Sequence, residues 1–132
     1  MTPVYKFLIA TAAVFLATAA ETPLSALAQI EPGQWTLTAP GTRPRSICLA
    51  DARVLLQLQH TGVACSRYVI ANDRASTIVH YTCPGAGHGR TEVTVETSRL
   101  IQIESQGIAN NAPFQWAMEA RRSGSCTSAA LR

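Results

Sequence analysis

The residues that could do chemistry in this chain are three histidines, four cysteines and scattered carboxylates and hydroxyls. His60, His80 and His88 could hold a metal only by converging, and none of them stand at the i, i+2 or i, i+4 spacing that makes a local pair. His60 falls at the last turn of a helical pattern, where the dipole favours an imidazolium. His80 lies within a strand pattern and His88 in a glycine-rich turn. Gly85-Ala86-Gly87-His88-Gly89 has the glycine density of a phosphate loop, but such loops lead into a helix whose amides hold the anion. Here Thr91 to Thr97 alternates like a strand, so the glycines read as a hairpin turn with positive φ. Ser46, Ser66, Ser98 and Ser105 lie in no Gly-x-Ser-x-Gly elbow. Glu92, Glu96 and Glu104 share outward strand faces and read as solvated surface rather than as a catalytic pair. No catalytic residue, metal ligand or cofactor site is therefore expected.

Cys48, Cys65, Cys83 and Cys126 form no C-x-x-C pair, so neither a zinc ribbon nor a thioredoxin-type couple is indicated. An even count in a small domain points to two disulfides and an oxidising compartment. Three connectivities are possible from the count alone. Cys65 and Cys83 flank a hairpin pattern centred near Asn72-Asp73, which favours Cys65–Cys83 and leaves Cys48 for Cys126. A three-residue loop at Asp73 to Ala75 would give that pair its register.

The start of the chain reads as an address. Lys6 precedes an uncharged apolar run, Phe7 to Ala20, which is short of the about 20 residues that a permanent span needs. Ala26-Leu27-Ala28 offers small residues to a signal peptidase. The expected organisation is a signal peptide over 1–28, cleaved after Ala28, a single domain over 29–126, and a frayed tail over 127–132. The expected destination is the periplasm, with no membrane anchor.

Alternation then supplies the elements that must position any site. Phe114, Trp116, Met118 and Ala120 share one face of a strand, as do Thr91, Val93 and Val95, and Ile101 with Ile103. Thr77, Val79, Tyr81 and Cys83 give another strand, and Tyr68 to Ile70 and Trp35 to Leu37 are rich in β-formers. Asn72-Asp73, Pro84 to Gly87 and Asn110 to Pro113 carry turn chemistry. One short helix is expected after Asp51, with Val54, Leu55 and Leu58 as its apolar stripe and Gly62 as its end. The predicted fold is mainly β: an antiparallel meander, curved or partly closed into a barrel, with one helix and two disulfides. A hydrophobic share of 47% excludes a disordered chain, and 6% aromatic content with scattered arginines excludes a nucleic-acid platform.

Pro32-Gly33-Gln34-Trp35, Cys48-Leu49 before a short helix, a cysteine-bracketed hairpin and the closing Arg122-Ser123-Gly124-Ser125-Cys126 together resemble domain of unknown function 3617. That is a family of small exported proteins of Gram-negative bacteria. Thr36 stands where the family usually has an acid, and Ala50-Asp51-Ala52 replaces its usual helix start. The resemblance implies an antiparallel sheet with one helix and no established activity. The functional expectation is a non-catalytic module that binds an apolar ligand or an envelope partner. Phe114, Trp116, Met118, Val93, Val95, Ile101 and Ile103 are its candidate apolar face. The alternatives are an envelope hydrolase or transferase of unrecognised type, or an inhibitor of envelope-damaging enzymes.

Overall fold

The structure is a computed structural model that describes residues 3, 12–18 and 22–127. Residues 1–2, 4–11 and 19–21 of the expected leader and the tail from 128 onward lie outside the described residues. Seven antiparallel strands form one open sheet. They are β1 (Gly33–Thr38), β2 (Arg45–Leu49), β3 (Ser66–Asn72), β4 (Ser76–Cys83), β5 (Gly87–Thr97), β6 (Leu100–Ala109) and β7 (Ala112–Gly124). Their order is β2-β1-β7-β6-β5-β4-β3. The stretch from β3 to β7 is the expected meander. The β1–β2 hairpin then adds to the far side of β7, so the first and last strands are neighbours.

The alternation seen in the sequence sets the two faces. Val93, Ile103 and Met118 stand opposite one another across β5, β6 and β7, with Val95, Ile101 and Ala120 in the adjacent row. Trp35, Leu37, Leu49, Val79, Val93, Ile101 and Ile103 are buried on this inner face. Each contributes about 1.5–3 kcal/mol by leaving water. Among the described residues no second sheet covers them. The cover consists of two segments from outside the sheet, a short turn at Leu27–Gln29 and the helix Ala52–His60.

The helix departs from the expected stripe. It has 3-10 winding and is interrupted at Gln57, whose φ of −139° is extended. The tighter winding turns Leu55 and Leu56 inward, where both are fully buried, and leaves Val54 43% exposed. Asp51 caps the helix through the Arg53 amide, as expected, and Gly62 takes positive φ after it. Strand β2 was not anticipated, because Arg45 and Ser46 are exposed on an outermost strand and break the alternation.

Both disulfides pair as the hairpin argument favoured, Cys65–Cys83 and Cys48–Cys126. The register of the first arrives by an unexpected route. Asp73 donates its amide to Ser76 O, so the turn itself is tighter than three residues. A bulge between Val69 and Ala71 restores the offset, placing Ser66 opposite Thr82 and the two cysteines side by side. At the β6–β7 corner, Asn110 and Asn111 both have positive φ, which matches the right-handed twist of the flanking strands.

Glu31 ties the chain before β1 to two distant strand ends. Its amide donates to Ser98 O, and its carbonyl accepts from the Trp35 indole. Its carboxylate pairs with Arg99 at 2.8 Å and lies 3.6 Å from Arg122. The Arg99 hydrogen bond holds the Glu31 carboxyl below its ordinary value, with the charges of Arg99 and Arg122 acting in the same direction.

Two measurements test this architecture. Replacing Cys48 and Cys126 together by Ser should cost about 4.5 kcal/mol of stability in urea, and the Cys65/Cys83 double replacement about 3 kcal/mol, because the first bond closes the longer loop. Equal losses would contradict the loop-entropy account. Because the Glu31 carboxyl is held low in the folded chain, its stabilisation is present above the ordinary glutamate range and fades as pH falls through the folded value. The stability gap between the native chain and Glu31→Gln should therefore be open at neutral pH and close on acidification, as followed by thermal melts across pH.

Candidate functional site

The candidate apolar face divides by depth. Val93, Ile101 and Ile103 are fully buried and present no surface, so the expectation that they line an accessible patch is corrected. The helix Ala52–His60 and the Leu27–Gln29 turn occupy the space in front of them. Val95, Phe114, Trp116 and Met118 are half-buried at the margin of the same face. The Trp116 indole donates to Gln59 Oε1 at 3.1 Å, which fastens the helix end to β7.

Beneath that helix end lies a polar network that spacing along the chain could not reveal. Tyr81 on β4, Thr91 on β5 and Ser105 on β6 point inward, and His60 enters from the helix. His60 Nε2 lies 3.0 Å from Ala86 O, and Nδ1 lies 2.9 Å from the Tyr81 hydroxyl. A carbonyl can only accept, so Nε2 carries the hydrogen. For a neutral ring, Nδ1 then accepts from Tyr81. At the other end the Thr91 hydroxyl donates to Leu56 O at 2.8 Å, so the 2.9 Å contact between Thr91 and Ser105 takes its proton from Ser105. Burial raises the Tyr81 pKa, and the nearby Ser105 hydroxyl opposes that shift. The network anchors the middle and the last turn of the helix to the sheet, and its side chains are buried.

Glycine makes room for it. A Cβ on Gly89 would come within 2.6 Å of the Tyr81 hydroxyl, and one on Gly107 within 2.1 Å of His88 O. Part of the glycine-rich segment thus serves as the expected hairpin turn, with Gly85 at φ 78°, and part as a niche for a buried ring.

The remaining polar candidates lie on the outer face. His80 and His88 stack with centroids 5.7 Å apart across β4 and β5, a convergence that the search for short spacings missed because a hairpin separates them. Arg90 stands opposite His80. Among the described residues no group of three or more His, Cys, Asp or Glu could hold a metal ion. Glu92 stands directly opposite Glu104 on the outer face.

Another opening lies on the inner side of the sheet. A groove of about 700 Å³ is bounded by residues 22–32, by the chain just after β2, and by the inner side of β3 and β4. Leu24, Leu27, Ile30, Val69 and Val79 give it an apolar floor and walls. Its rim is charged. Arg53 grips Asp51 with Nε at 3.0 Å and Nη2 at 2.7 Å from Oδ2, while Arg67 stands on the same rim. The Arg53 hydrogen bonds hold the Asp51 carboxyl below its ordinary value, and Arg67 adds a weaker charge effect. Arg53, Arg67 and Asp51 thus give the rim its charged groups, with the Arg67 guanidinium beside the Arg53–Asp51 pair. Nothing in the sequence flagged this groove, because its lining comes from segments distant along the chain.

Comparison with protein-family models, curated proteins and solved structures finds no match. Among the described residues, no helix is long and apolar enough to cross a membrane.

The polar network makes a sharp expectation. Tyr81→Phe leaves a buried imidazole nitrogen without its donor and should cost about 1–3 kcal/mol in urea denaturation. Gly89→Ala should cost more than Gly41→Ala, since an added methyl at position 41 meets nothing within 4 Å and costs only the left-handed backbone strain of φ 74°, whereas at position 89 it meets the Tyr81 ring. Equal costs would show that the niche does not constrain the ring.

Proposed function

We propose that this chain is an exported, non-catalytic binding protein for an amphiphile with an anionic head, such as a fatty acid. The observation that carries the reading is the groove: about 700 Å³, apolar inside, with the Arg67 guanidinium at its rim. That volume is within the usual range for small-molecule sites, which pair apolar walls with a few polar groups that fix orientation. The acyl chain lies along Leu24, Val69 and Val79, and the carboxylate meets Arg67 at the rim. Two disulfides fit an oxidising, extracellular-type compartment. The charged start and apolar run of the sequence support a leader, and with it the periplasm as destination. The resemblance to domain of unknown function 3617 agrees with export and is silent on the ligand.

Calorimetric titration with palmitate and with the uncharged alcohol of the same chain length tests the reading. Palmitate should bind, and the alcohol about tenfold more weakly, a difference of about 1.4 kcal/mol. Arg67→Ala should erase that preference. Val69→Asp, on an exposed edge strand, should abolish uptake while leaving the melting temperature nearly unchanged. Equal binding of acid and alcohol would remove the role of the rim, and absence of binding would remove the reading altogether.

A further inference from the structure

We propose that residues 22–28 remain in the exported protein as a strap that forms one wall of the groove, and that the leader is removed upstream of Thr22. This rests on the export reading and assigns a boundary different from the one expected after Ala28.

The first observation is a break in burial along the apolar start of the chain. Val14, Phe15 and Leu16 are 82%, 93% and 89% exposed, so they have no place in the fold. Ala26 and Leu27, only a few residues later, are 0% and 6% exposed. Leu27 belongs to the central core, and Leu24 packs against it. Residues that serve only as an address have no reason to fit the domain; these fit it.

The second observation is directional bonding. The Ser25 amide donates to Asn72 Oδ1 at 3.0 Å, and Asn72 Nδ2 donates to Pro23 O at 3.1 Å. One side chain at the end of β3 therefore satisfies a donor and an acceptor of the strap backbone. The Gln29 side chain adds donors to Ser25 O and to Arg74 O, closing the strap onto the β3–β4 turn. Leader cleavage precedes folding, so the fold does not shield the bond after Ala28. The point is complementarity: removing 22–28 would strip Leu24, Ala26 and Leu27 from the interior and take five residues from the groove lining.

The sequence holds a second peptidase pattern that leaves the strap intact. Ala17-Thr18-Ala19 places small residues at both required positions immediately after Leu16, where the bulky part of the apolar run ends. Cleavage there gives a mature chain that begins at Ala20. Both patterns satisfy the small-residue rule, and the burial of Ala26 and Leu27 selects between them.

The experiment expresses the full precursor in a Gram-negative host and measures the intact mass of the protein released from the envelope. The expected chain starts upstream of Thr22, at Ala20, and Ala28→Leu, which blocks a cut after position 28, leaves processing unchanged. A chain starting at Gln29, or a processing block by Ala28→Leu, overturns the proposal and leaves export standing. A chain that retains Met1 overturns the export reading as well. As a second readout, Asn72→Ala in the exported protein should lower the urea midpoint and weaken palmitate uptake about tenfold; an unchanged midpoint would mean that the strap is not docked.

Discussion

The rest of this structure depends on covering the inner face of a single sheet. A β-sandwich covers such a face with a second sheet, and a closed barrel covers it with itself. Here the sheet stays open and the cover comes from outside it. Leu55 and Leu56 of the helix and Leu27 of the strap supply the apolar atoms that Val93, Ile101 and Ile103 require. The helix brings its backbone polar groups with it, which is why a buried hydroxyl on β5 accepts the task of satisfying Leu56 O. The apolar cover and the polar network are two parts of one solution.

The same constraint explains where the cross-links lie. In an open sheet the outermost strands have one neighbour each, β2 only β1 and β3 only β4. They lack the second ladder that holds an inner strand. Cys48 pins β2 to the chain just past β7, reaching over β1, and Cys65 pins the start of β3 to β4. Each outermost strand thus receives one covalent restraint in place of the missing partner. The groove opens where the strap and the chain leaving β2 meet β3 and β4, so its walls are held by these two bonds and by Asn72.

Legibility in the sequence followed this division. Strands β4 to β7 could be read because each has one wet and one dry face, and alternation reports that directly. Their turns could be read because Gly85 and the Asn110-Asn111 pair supply the backbone geometry that the corners need. Strand β2 could not, since Arg45 and Ser46 are exposed. The helical stripe shifted by a residue because the winding is 3-10, and a periodicity argument assumes an α-helix. The polar network and the stacked His80–His88 pair are contacts across strands, invisible to any search for short spacings. Ala26-Leu27-Ala28 shows the deepest ambiguity: small and apolar residues suit a peptidase and a core equally, and only the three-dimensional surroundings distinguish the two.

The nested arrangement of the disulfides has a consequence for how the thiols must find one another. The Cys48–Cys126 bond encloses the Cys65–Cys83 bond, so neither joins cysteines in the order of a Cys48–Cys65 pairing. A chain emerging amino-terminus first offers Cys65 to Cys48 long before Cys126 appears. Oxidation on first encounter would trap that mispaired loop, and correcting it takes thiol–disulfide exchange through a mixed intermediate, a process of minutes to hours without a catalyst. The native pairing therefore favours late oxidation or an isomerase: the β3–β4 hairpin closes its own bond locally, while Cys48 stays reduced until the last strand has taken its place beside β1.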